Sequence, residues 1–171
     1  MTPNPSPRNR STMASRKTAD QWFAEYGESH QDHTNELIHW ICVPVIFCCV
    51  LGFVSRIPVP ATWLEMMPWF DWALVAMALA SLFYLRLSPA LSAGLMFFMA
   101  MCYVLLVIVD LFSPWPPWRI YAVAFVLAWI GQFVGHQIEG KKPSFFRDVL
   151  FLLIGPAWLM SFVYKKAGQA Y

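Results

Sequence analysis

From residue 37 onwards the chain is a succession of long apolar runs separated only by short prolyl, aromatic or arginine-bearing breaks, and this pattern constrains it more than any single motif. Runs of about 18 to 20 apolar residues match the hydrocarbon thickness of a bilayer. Inside lipid, every backbone N–H and C=O must find a partner within the protein, which leaves helices or closed barrels. Continuous apolar runs without alternation favour helices. The spans are predicted at residues 37–54, 69–87, 90–112 and 120–138. A shorter run at residues 149–164 carries Gly155 and Pro156 near its middle, so it is expected as a kinked fifth span or a re-entrant hairpin. The composition agrees: 58% hydrophobic residues exceed what one soluble core needs, and only 13% are charged. The fold class expected is an all-α integral membrane protein, a bundle of four to five transmembrane helices. No run has the cleavage-site pattern of a signal peptide, so no cleaved targeting segment is expected.

Residues 1–18 are rich in Pro, Ser, Asn, Arg and Lys and have little to bury, which predicts a disordered tail, with Met13 a candidate natural start. Residues 19–171 then form a single membrane domain. It opens with a short interfacial helix, because Trp22, Phe23 and Tyr26 recur at helical spacing among polar residues. Arg8, Arg10, Arg16 and Lys17 in the tail, and Lys141, Lys142 and Arg147 after the fourth span, put both regions on the cytoplasmic face. Lys165 and Lys166 fall outside if the fifth run crosses, which favours a re-entrant ending. The basic residues form no stripe, so no nucleic-acid partner is expected. Cys42, Cys48, Cys49 and Cys102 sit within apolar runs without metal-site spacing and read as buried thiols.

All four histidines fall in two blocks: His30, His33 and His39 at the entrance to the first span, and His136 near the exit of the fourth. The expected topology puts both blocks at one membrane face, where costly ionisable residues commonly line a site. In the second block, Gln132, His136 and Glu139 share a helix face, and Gly131 and Gly135 form a small-xxx-small pair that allows a second helix to come close. In the first, Asn35 and His39 are one turn apart. His30 and His39 would face opposite sides of a continuous helix. For both to reach one metal, the helix must start after His30, with Asp32 or Thr34 as its cap. Imidazoles suit iron, zinc or copper; His39 and His136 could also serve as axial haem ligands.

These residues carry a resemblance. Tyr26 followed by His30, then Asn35, Ile38, His39, Val43 and Pro44, and later Trp129, Gln132, Phe133, Gly135, His136, Glu139, Lys141, Lys142 and Pro143, are similar to the motifs of the 2-hydroxy fatty acid dioxygenase family. That family was long listed as domain-of-unknown-function family 962, with members in the fungal endoplasmic reticulum and bacterial relatives. The resemblance covers most of the chain after Trp22. It implies an iron(II)-dependent enzyme that uses dioxygen to shorten a 2-hydroxy fatty acid by one carbon, the α-oxidation step of phytosphingosine degradation in sphingolipid metabolism. Carried over, it makes His30, His39 and His136 the leading iron ligands, with His33 the weakest candidate. Asn35, Gln132 and Glu139 become candidates for orienting ligands or substrate, and Lys141 and Lys142 for attracting the substrate carboxylate. The expected location is a bacterial inner membrane, or the endoplasmic reticulum in a eukaryote, with the site near the cytoplasmic face. Two other readings compete: a small membrane transporter or assembly protein that uses polar residues for packing, and a bis-histidine haem electron carrier.

Overall fold

The computed structural model describes residues 17–141 and 150–171. The expectations for the tail before Lys17, and for Lys142, Pro143 and Arg147, lie outside these residues. Among the described residues every regular element is a helix: α1 (Ala19–Gly27), α2 (His33–Ser55), α3 (Ala61–Met66), α4 (Trp72–Leu87), α5 (Pro89–Phe112), α6 (Pro117–Glu139) and α7 (Phe151–Lys166). Three of them, α2, α5 and α6, are long and apolar enough to cross a membrane. The apolar α4 has 16 residues, about 24 Å at 1.5 Å per residue, and falls short of a full hydrocarbon core.

The first two helices start where the sequence supplies caps. Thr18 and Gln21 form a reciprocal capping box on α1. Asp32 accepts hydrogen bonds from the backbone N–H groups of Thr34 and Asn35 and so begins α2 at His33. The chain therefore turns between Gly27 and Asp32, as joint use of His30 and His39 requires. At the other end of the site, α6 stops at Gly140, whose φ of 71° is left-handed.

The antiparallel pair α2 and α6 is the spine of the fold. Three glycines set its spacing: a Cβ at Gly52 would lie 2.7 Å from the Tyr121 ring, one at Gly131 would lie 2.7 Å from Cys42 Sγ, and one at Gly135 would collide with Asn35 Oδ1. Lipid offers helices little hydrophobic incentive to associate, so close approach through small residues supplies the packing. The pairing brings the start of α2 beside the end of α6, and thus both histidine blocks to one end. At the opposite end Arg56 Nη2 meets Asp110 Oδ2 at 2.7 Å, tying α2 to α5.

The last apolar run differs from a re-entrant hairpin, since residues 151–166 form one continuous helix with Pro156 inside it. Phe151 packs on Trp22 and Tyr26 of α1. Tyr84 Oη, near the end of α4, donates to Leu153 O at 3.0 Å, and Tyr164 Oη donates to Ala90 O, at the start of α5, at 2.9 Å. Both ends of α7 thus touch the histidine end of the bundle. The helix lies across that end, so Lys165 and Lys166 stay on the histidine side.

Candidate metal centre

Three elements converge on one point. His30 lies in the turn between α1 and α2, His39 in the second turn of α2, and His136 in the last turn of α6. All three are buried, to 5%, 1% and 4% exposure. One nitrogen from each lies within 4.8 Å of the others. The rings stand steeply to one another, at 81° for His30 and His39, 68° for His30 and His136, and 87° for His39 and His136. Centroid separations are 4.2 to 5.0 Å.

Backbone carbonyls fix two of the tautomers. His30 Nδ1 lies 2.6 Å from Tyr26 O and His39 Nδ1 lies 2.8 Å from Asn35 O. A carbonyl only accepts, so each Nδ1 carries the proton and each Nε2 keeps a free lone pair. Those two Nε2 atoms, and Nδ1 of His136, are buried without a hydrogen-bond partner. Buried polar atoms left unmatched are costly, and a metal ion accepting lone pairs from three imidazoles resolves the cost. The donor set fits iron, zinc or copper. Burial, reinforced by the neighbouring His136, pulls the His30 imidazole down from 6.5 to about 4, although the Tyr26 carbonyl and Glu139 oppose this. The ring is neutral at ordinary pH, as a metal ligand must be.

The surroundings hold these rings in place. Tyr26 stacks on His30 with centroids 4.3 Å apart and planes 9° from parallel, and Trp158 of α7 lies 5.3 Å from the same ring. Glu139 acts as a clamp: its carboxylate accepts from the backbone N–H of Gln31 at 3.0 Å, from that of Asp32 at 2.7 Å and from Asn35 Nδ2 at 3.3 Å. It joins the end of α6 to the turn that carries His30. Asn35 also donates to Ser29 O at 3.1 Å, bracing the same turn from α2. Its Oδ1 is buried without a hydrogen-bond partner and occupies the space a Cβ on Gly135 would need.

The other sequence candidates fall at varied distances from the cluster. Gln132 is buried on the α6 face that carries His136. His33 is exposed and stands outside the cluster. Lys141 is exposed, with its ammonium donating to Glu28 O, and Lys142 lies outside the described residues. Sequence reasoning missed Trp158, which no spacing links to the histidines. Tyr26 was placed on the interfacial helix and in the family motif but given no role at the site, although its i, i+4 relation to His30 was the available signal.

A family model described as 2-hydroxy-palmitic acid dioxygenase Mpo1-like matches residues 16–167. No curated protein and no solved structure matches the chain.

Proposed function

The chain belongs to the 2-hydroxy-palmitic acid dioxygenase Mpo1-like family, and from that premise we propose that it is a membrane-bound, iron(II)-dependent dioxygenase that shortens 2-hydroxy fatty acids by one carbon. The observation that carries this reading is the triad of buried histidines with unmatched nitrogens. Iron(II) held by His30, His39 and His136 would supply the redox chemistry for dioxygen and open positions for the hydroxyl and carboxylate of a 2-hydroxy acid.

The protein's own part is orientation and exclusion of water. The Tyr26 and Asn35 carbonyls keep the protons of His30 and His39 on Nδ1, so that Nε2 faces the centre. Glu139 holds the His30 turn against α6. Tyr26 and Trp158 cover the His30 ring, which raises the strength of electrostatic contacts within the site. A bis-histidine haem fits less well, because the His30 ring stands within 5.0 Å of both other rings and crowds the slot a macrocycle would need.

The test is metal analysis of detergent-purified protein beside oxygen uptake with 2-hydroxypalmitate and with palmitate. The reading expects stoichiometric iron, uptake with the hydroxy acid alone, and a fatty acid one carbon shorter as product. Iron-loaded protein that consumes no oxygen with any 2-hydroxy acid would remove the proposed reaction.

A further inference from the structure

Among the described residues only Pro44 in α2 and Pro156 in α7 stand inside helices rather than in a first turn. An interior proline removes a helical hydrogen bond and pushes the preceding turn aside. Both prolines line the same apolar cavity, partly open to the surroundings, of about 130 Å³ between α2, α5 and α7, together with Trp40, Phe98, Met160 and Val163. That is about four times the roughly 30 Å³ share of one water in the liquid, room for a short run of methylene groups. No charged side chain lines it.

The cavity lies next to the histidine cluster. Trp40 directly follows His39, and Pro44 is five residues beyond His39, about 7.5 Å along the helix axis. An apolar path joins the two: Trp40 packs on Phe162 at 6.2 Å, Phe162 on Trp158 at 4.8 Å, and Trp158 lies 5.3 Å from His30. The side chains linking the cluster to this cavity in these contacts are all aromatic.

We infer that the cavity formed by Pro44 and Pro156 receives the acyl tail of the substrate and sets the preference for chain length. This rests on the reading of the substrate as a 2-hydroxy fatty acid. Burying methylene groups there makes longer chains bind more tightly, whereas a short acid ends before the cavity is filled.

Two measurements test it. In the iron-loaded full chain, Val163→Trp fills the mouth from an exposed position, where folding is little affected. It should raise KM for 2-hydroxypalmitate about tenfold more than for 2-hydroxyoctanoate, roughly the loss of two buried methylenes. Phe98→Ala should shift the optimum towards longer acids. An equal change for both acids in both variants would overturn the inference. The second measurement needs no turnover: 2-hydroxypalmitate bearing a diazirine at its tail is photolysed with the iron-loaded protein in the absence of oxygen. Labelling of Phe98, Met160 or Val163 that excess 2-hydroxypalmitate suppresses supports the tail site, even if the oxidation itself proves absent. Labelling elsewhere, or labelling that only bilayer phospholipid suppresses, would overturn it.

Discussion

At the scale of single residues, the site depends on where protons and lone pairs sit. His30→Ala, His39→Ala and His136→Ala each remove one converging nitrogen, so each should lower iron occupancy at least about tenfold and activity with it. His33→Ala, on an exposed ring outside the cluster, should stay within about twofold of wild type. Metal analysis of the four purified variants decides this, and full iron in His136→Ala would sink the triad. Glu139→Gln replaces an acceptor-only group with one whose NH2 faces the Gln31 and Asp32 amides. It should keep some iron but lose about 10- to 100-fold in activity; unchanged turnover would reduce Glu139 to a surface residue. The His30 ring also makes the metal-free protein sensitive to pH. Its unfolded-state value is near 6.5 and its folded value about 4, so the unfolded chain takes the proton first. Stability is whole above the first value and declines between the two as pH falls. Thermal unfolding in detergent, with His30→Ala giving the flatter profile, checks the sign. The two histidine blocks and the Asp32 cap were legible as short-range spacing. Trp158 was not, because its contact with His30 exists only once α7 folds over the site.

At the scale of elements, the α2 and α6 pair is as close as its glycines allow. Gly135→Ala would place a methyl group against Asn35 Oδ1, and Asn35 braces the His30 turn. Overpacking of this kind costs about 1 to 3 kcal/mol. Thermal denaturation should show that loss together with reduced iron retention, while Gly140→Ala, strained at its left-handed φ but open to solvent, should cost about 1 kcal/mol with iron retained. Equal iron retention in both variants would mean that Asn35 does not transmit the strain to the site. The small-xxx-small pair was readable because helical periodicity puts Gly131 and Gly135 on one face. The short helix α3 was not, since Ala61 to Met66 follows two prolines and has no apolar period of its own. For the final run, Gly155 and Pro156 left a kinked span or a re-entrant hairpin open, and the helix continues through Pro156. Gly155 next to it lets α7 approach Tyr26 and Val43, where a Cβ would lie 3.1 Å from each, and packing on α1, α2 and α5 outweighs one missing hydrogen bond.

At the scale of the whole molecule, charge and packing agree on one polarised body. The histidine cluster, the Glu139 clamp, Lys141 and both ends of α7 gather at one end, whereas Arg56, Asp110 and the exposed Met66 and Trp115 mark the other. A fifth crossing would have carried Lys165 and Lys166 away from the other basic residues. With α7 lying across the histidine end, they stand on the same side as Lys17, Arg86 and Lys141. The 16 residues of α7 span about 24 Å, too short to need a crossing and long enough to roof the site with Trp158. Single cysteines at Gln31 and Gln169 should therefore react with an impermeant thiol reagent from the same face of sealed vesicles, and cysteines at Met66 and Trp115 from the opposite face. The native thiols are buried or half-buried, which keeps the background low. Reaction of the Gln169 position from the Met66 side would mean that α7 crosses, and the covering role of Trp158 would fall with it. Reaction of the Gln31 and Gln169 positions from one face, with Met66 and Trp115 opposite, would leave a site that opens at one membrane surface, where a lipid acid can enter head first while its tail stays in the apolar interior.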